Sequence, residues 1–247
     1  MHRAGIEHPA RHARAMYEGL GRGAFELLWL AGASAERRAR AIASVPLDED
    51  GLVRAVSRGP VVLCASHTGN WELAAARAAH VLARHGRRLR VVAKPFSSPG
   101  VDAFCTRLRA RLGVDVVRPC GAMAAAVGAL RDGDCVAMPI DQVPDRAEHS
   151  LIAPFLGESA FVDRAPAVVA RRACVPMLVV ANGRVLAEIP APSSAHEARA
   201  AMRRATTALD AFVRSEPASW LWLHRRWRRP RGANRASNRP IPAIIAR

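Results

Sequence analysis

The 247-residue chain carries 37 Lys and Arg against 21 Asp and Glu, a formal net charge of +16, and half of its residues are apolar. That apolar share supplies a packed core and excludes a wholly disordered protein, and the length suits one large α/β domain or two small ones. Every basic residue except Lys94 is arginine; the positive surplus favours nucleic acid, an anionic membrane surface or an acidic carrier, without ranking them.

In chain order, the apolar spacing of Ala15, Met16, Leu20, Ala24, Leu27, Leu28 and Trp29 predicts an amphipathic helix over Ala13–Leu30, ending near Gly32. Gly59-Pro60 punctuates the chain, and Val61–Ala65 after it reads as a buried strand. A helix is predicted from Trp71 to His85, a strand from Leu89 to Ala93, a helix from Val101 to Leu112 and a strand from Val114 to Val117. A helix over Ala122–Leu130 and a strand over Cys135–Ile140 follow; Asp141–Ser159, with Pro144, Pro154 and Gly157, reads as loop. The last elements are a helix (Arg164–Ala173), a strand (Pro176–Ala181) turning at Asn182-Gly183 into Arg184–Ile189, and a helix over Ala195–Arg214. Such alternation predicts a single α/β domain with a mixed, mostly parallel sheet flanked by helices. Residues 1–12 read as a basic N-terminal segment, 13–229 as the domain, and 230–247 as a basic, disordered tail.

Five scattered cysteines, none in a C-x-x-C pair, form neither a disulfide framework nor a zinc knuckle, and neither metal nor cofactor is expected. The uncharged runs are about a dozen residues long, short of the roughly 18 to 20 that span a bilayer. The N-terminus lacks the apolar stretch of a signal peptide. The chain is therefore expected to be cytoplasmic, soluble or peripherally bound to a membrane, with no transmembrane helix.

Sites in α/β folds gather at the carboxyl ends of strands, which nominates Ser66–Glu72, Lys94–Pro99 and Asp141–Asp145. His67 and Glu72 are five positions apart, about 500° of turn or roughly 140° of separation on a continuous helix. They can cooperate only if His67 lies in the loop and Glu72 in the first helical turn; Gly69 permits such a break and Asn70 is a good N-cap. A carboxylate on one imidazole nitrogen raises the basicity of the other, and the pair can deprotonate a hydroxyl that attacks an ester or thioester. His2 and Glu7 share this spacing, so spacing alone leaves a helix-dipole glutamate and a satisfied histidine open. Asp141-Gln142 either positions a substrate or opens an Asx turn before Pro144. Lys94 is either an anion contact or a solvated strand-end lysine, and Arg107, Arg109 and Arg111 cannot all share one helix face. The segment Trp220–Arg229 interleaves aromatics with arginine; it reads either as a surface for anionic lipid or nucleic acid, or as a closing apolar strand leading into the tail.

Together these segments resemble the lipid A biosynthesis (late) acyltransferase family. The resemblance rests on the strand Gly59–Ser66 followed by His67-Thr68-Gly69-Asn70-Trp71-Glu72, on Lys94-Pro95 with Pro99 and Asp102, on Arg109 and Arg111, on Asp141-Gln142, on Pro154-Phe155-Leu156-Gly157, and on Trp220-Leu221-Trp222-Leu223-His224-Arg225-Arg226. It implies a glycerolipid acyltransferase-like fold and acyl transfer from acyl carrier protein or acyl-CoA to a hydroxyl of a membrane glycolipid, at the cytoplasmic face of the inner membrane. His67 would be the general base with Glu72 as its partner, and Asn70, Lys94, Arg109, Asp141 and Gln142 would bind substrate. Acyl carrier protein is acidic and the membrane surface anionic, so either would use the positive charge, and nucleic acid becomes a minor reading. The family's members usually begin with a membrane-spanning helix, whereas this chain starts at the amphipathic segment after it. Thr68 replaces a common aromatic, and Val162, Ala165 and Cys174 stand where a Thr and two Gly are common. The acceptor stays open between a lipid A precursor, a phosphatidylinositol mannoside and another glycerophospholipid.

Overall fold

A computed structural model describes residues 1–233. The strands are β1 (Val62–Ala65), β2 (Leu89–Val92), β3 (Val114–Val117), β4 (Cys135–Pro139), β5 (Ser150–Phe155), β6 (Glu158–Asp163), β7 (Met177–Ala181) and β8 (Arg184–Ile189). The helices are α1 (Pro9–Gly32), α2 (Ala35–Ala43), α3 (Glu49–Val56), α4 (Trp71–Arg84), α5 (Pro99–Arg111), α6 (Ala122–Arg131), α7 (Ala165–Ala173) and α8 (Ala195–Ser215).

Six strands form one sheet in the order β3-β2-β4-β1-β7-β8, parallel except for β8, which returns from β7 through the Asn182-Gly183 turn as an antiparallel edge. Parallel strands buried on both faces need continuous apolar runs, and β1 has one. Val62 and Cys64 pack with Val169 of α7 and Met202 and Leu209 of α8, while Val61 and Leu63 pack on the other face with Leu52 of α3 and Leu82 of α4. The chain leaves β1 through α4 toward β2 and later reaches β7, on the far side of β1, through α7 on the opposite face. Neighbouring strands whose connections diverge leave a crevice at their carboxyl ends, and that crevice lies between β1 and β4.

Three features differ from the sequence expectation. Helices α2 and α3 fill the span before Gly59; the signal for α3 was Asp48, whose carboxylate caps Gly51 N–H at 2.9 Å. The expected loop 141–159 holds a two-stranded ribbon, β5–β6. Its alternation was legible, with Leu151, Ala153 and Phe155 buried, and Pro154 is tolerated because a two-stranded ribbon leaves outer N–H positions unpaired. The expected tail is partly held: Pro230 is buried, and Arg231 N–H donates to the Asp145 carbonyl at 3.0 Å. Residues 234–247 lie outside the described residues. No helix among the described residues is long and apolar enough to cross a membrane.

Because Asp48 satisfies an otherwise orphaned N–H at the start of α3, Asp48→Ala should lower stability by about 1 kcal/mol. Thermal unfolding would read this as a reduced Tm, with Asp48→Asn recovering most of the loss.

Candidate active site

Helix α4 begins where the sequence places it. The Asn70 side chain accepts from Leu73 N–H at 3.2 Å, and its amide donates to Glu26 of α1 at 2.7 Å. Ahead of the helix, residues 67–69 form a short loop that the C-terminal segment clamps: Gly69 N–H donates to the Ser219 carbonyl at 2.7 Å, and Leu221 N–H to the His67 carbonyl at 2.9 Å. Gly69 has φ +56°, and a Cβ there would collide with the Asn182 side chain, so the turn needs glycine.

The partner of His67 is Asp141, not Glu72. Asp141, at the carboxyl end of β4 and fully buried, accepts from His67 Nδ1 at 2.9 Å and from the His67 backbone N–H at 2.8 Å. Trp220 Nε1 donates a third hydrogen bond to it at 3.0 Å. Burial alone would raise the Asp141 pKa, but the charge of His67 and these bonds hold it at about 2. For His67, burial pulls the pKa down, yet the charge and hydrogen bond of Asp141 outweigh it and the net shift is upward. An ionised Asp141 fixes the ring proton on Nδ1, so Nε2 presents a lone pair to the crevice. Trp71 packs edge-to-face on the His67 ring at 5.1 Å.

Glu72 sits in the first turn of α4, as expected, but its carboxylate turns to Arg109. Arg109 Nε donates to Oε2 at 2.8 Å and its Nη2 to Oε1. The geometry is bidentate, the strong form of this pair, and it leaves Glu72 to act on His67 only through its charge, which favours protonation. Of the three alternating arginines, Arg107 and Arg111 are exposed and Arg109 is half-buried. Lys94 is exposed and pairs with Asp145 at 2.6 Å.

Two further residues reach the site. The side-chain nitrogen of Gln142 lies 3.3 Å from His67 Nε2 and 3.4 Å from His224 Nε2. The His224 and His67 rings meet edge-to-face at 5.0 Å. Burial, followed by the charge of His67, lowers the His224 pKa. Sequence reasoning missed His224 as a site residue by reading Trp220–Arg229 as an outer surface or a closing strand. The structure corrects that reading. Trp220 and Arg226 are buried, with Arg226 donating to the Phe161 carbonyl at 2.6 Å and stacked over Phe155 at 5.1 Å. Burial lowers the Arg226 pKa to about 10. Only Leu223, Arg225, Arg228 and Arg229 of the segment are exposed.

His67, Asp141 and His224 offer ligand atoms within 4.8 Å of one another. As a metal set they fit poorly, since the Asp141 oxygens face three protein donors and the Gln142 amide lies between the two imidazole Nε2 atoms. The arrangement suits proton abstraction: a base whose Nε2 lone pair meets only the Gln142 amide, backed by a buried carboxylate.

Two cavities border the 66–71 segment that carries the base, and His67 itself lines neither. One, of about 90 Å3, is apolar and runs between α3, α4 and the sheet from Ser66, Thr68 and Trp71 to Leu52, Ala78 and Val180. The other, of about 260 Å3, lies between α1 and the 69–71 loop and includes Arg22, Glu26, Asn70 and Leu221.

A family model described as bacterial lipid A biosynthesis acyltransferase matches residues 7–229. Among curated proteins no sequence matches the chain.

In an NMR titration, His67 should protonate above the ordinary 6.5, and Asp141→Asn should move that pKa down, because burial, the largest influence, is then opposed only by the charge of Glu72. Asp141 is depressed from about 3.9 in the unfolded chain to about 2 in the folded one. Its stabilisation is therefore complete above the unfolded value and lost as pH falls from about 4 toward 2. Acid unfolding of Asp141→Asn should lack this component, and the variant should be less stable at neutral pH through loss of the buried pair.

Proposed function

The chain belongs to the bacterial lipid A biosynthesis acyltransferase family, and from that premise we propose that it transfers a fatty acyl chain from acyl carrier protein or acyl-CoA to a hydroxyl of a membrane glycolipid, with His67 as general base and Asp141 as its partner. The observation that carries this reading is the His67–Asp141 pair at the carboxyl ends of two adjacent parallel strands, Nδ1 on a buried carboxylate and Nε2 toward the crevice.

The acceptor hydroxyl gives its proton to Nε2 of His67 while its oxygen adds to the thioester carbonyl. Asp141 holds the ring tautomer and stabilises the imidazolium that forms. Glu72 and Arg109, paired to each other, stand beside the base; Arg109 and Lys94, which pairs with Asp145, meet an acidic donor or a phosphorylated acceptor only by exchanging those carboxylates for it. Gln142 stands at the Nε2 of the base, whereas both ends of the Asn70 amide are engaged in capping α4 and tying it to Glu26. The apolar cavity beside Ser66 and Trp71, of about 90 Å3, takes a few methylenes of the acyl group, and the more polar cavity under α1 suits polar groups of the acceptor. A lipid A precursor is the acceptor that the family favours.

Contact with the cytoplasmic face of an inner membrane is part of the same reading. Helix α1 buries Met16 and Leu30 against the body, yet Tyr17, Phe25, Leu28 and Trp29 are exposed. At about 100° per residue these four fall within roughly 120° of arc, opposite the buried side. Exposed Arg11, Arg14 and Arg22 lie on that same side. Aromatic and aliphatic side chains flanked by arginine are what an anionic bilayer surface retains. The internal position of Trp220 and Arg226 disfavours a nucleic-acid surface at the C-terminal segment.

Purified protein given acyl-carrier-protein or acyl-CoA donors and a panel of lipid A precursors, phosphatidylinositol mannosides and glycerophospholipids should acylate one acceptor class, identified by mass spectrometry. His67→Ala should reduce turnover at least 100-fold, the order of a lost general base; transfer at the wild-type rate would refute the mechanism. Phe25→Ser with Trp29→Ser should weaken sedimentation with anionic vesicles while leaving the circular dichroism unchanged.

A further inference from the structure

Acyl transfer puts negative charge on the thioester carbonyl oxygen, and a donor must meet it. In the loop that carries the base the backbone N–H groups are occupied: His67 N–H donates to Asp141, Thr68 N–H to the Ser66 carbonyl and Gly69 N–H to the Ser219 carbonyl. The side-chain amide of Gln142 is differently placed. Its nitrogen faces Nε2 of both His67 and His224. With the His67 proton on Nδ1, its Nε2 is an acceptor, so the amide must present N–H and not oxygen there. Its second hydrogen goes to His224 Nε2, which makes His224 a neutral ring with its proton on Nδ1. Burial favours that neutral form.

We propose that the Gln142 amide is the oxyanion-stabilising donor of the acyl transfer and that His224 is the positioning residue that holds it. The inference rests on the acyl-transfer reading above. An acceptor hydroxyl must reach His67 Nε2, so it displaces one Gln142 hydrogen from that lone pair. His224 retains the other hydrogen, and the amide stays beside the reacting atoms with one N–H free. As the hydroxyl oxygen bonds to the carbonyl carbon, its proton passes to His67 Nε2 and the carbonyl π pair moves onto oxygen, where the free N–H meets it. Collapse re-forms the C=O, breaks the C–S bond and releases a thiolate, which takes the proton back from His67. The Trp-Leu-Trp-Leu-His-Arg-Arg segment thereby acquires a role: buried Trp220 holds Asp141, and buried Arg226, fixed by the Phe161 carbonyl, anchors the chain two residues after His224.

Gln142→Met keeps the shape and removes the donor; Gln142→Ala is the second variant, and thermal unfolding establishes that each is folded. Both should lower kcat roughly 100- to 1000-fold, the usual cost of one oxyanion donor. Affinity for a fluorinated acyl ketone, hydrated to a tetrahedral diol, should fall in parallel, whereas a thioether analogue lacking the carbonyl should bind as it does to the wild type. His224→Leu should reproduce the kcat loss, and His224→Gln, which can still accept, should restore part of it. A folded Gln142→Met or Gln142→Ala variant with wild-type kcat, or one that loses the thioether as strongly as the ketone, overturns the proposal while the acyl-transfer reading stands. A wild-type protein that turns over no thioester donor with any acceptor overturns both.

Discussion

The site depends on one buried charge. Asp141 has no solvent exposure, and an ion withdrawn from water costs several kcal/mol unless protein groups replace its hydration. Three N–H groups do so, from the His67 ring, the His67 backbone and the Trp220 indole. They belong to the end of β1 and to the C-terminal segment, while Asp141 itself follows β4. Satisfying one carboxylate therefore fixes three distant stretches of chain against one another, and the orientation of the His67 lone pair follows from that geometry.

The same demand explains why a segment rich in tryptophan and arginine turns inward. Trp220 stacks edge-to-face with Phe155 and Trp222, which places its indole N–H against Asp141. Arg226 lies over Phe155 and donates to Phe161 on the β5–β6 ribbon. That ribbon, spanning what reads in the sequence as loop, is the floor on which the C-terminal segment rests. The ribbon supplies Phe155 and the Phe161 carbonyl, which seat Trp220 and Arg226 on either side of His224. Arg225, Arg228 and Arg229 stay outside and join the exposed arginines of α1 as positive charge open to an anionic surface or carrier.

Helix α1 links the two ends of this arrangement. Glu26 receives the Asn70 amide, so the helix is tied to the start of α4 and to the loop that carries His67. Its opposite side exposes aromatic residues. A helix that is apolar on two sides has two partners; the body of the protein is one, and the bilayer proposed above is the other.

Local signals were enough for much of the protein. The continuous apolar runs of β1 and β4, the Asn70 cap, the Asn182-Gly183 turn and the placement of His67 and Asp141 at strand ends are all short-range patterns, and the sequence determined them. It also determined the family, through an ordered set of boxes. The ribbon escaped because two prolines and a glycine outweighed its alternation, and α2 and α3 because helices of nine and eight residues repeat their apolar spacing too few times to stand out. What only the tertiary structure decided was which acid serves His67. Glu72 is five residues away and Asp141 seventy-four, but the helix that starts at Trp71 turns Glu72 toward Arg109, while parallel pairing of β1 with β4 brings Asp141 to the imidazole. Sequence separation governs which contacts are legible in a chain; the register of the sheet and the need to satisfy a buried charge govern which ones form.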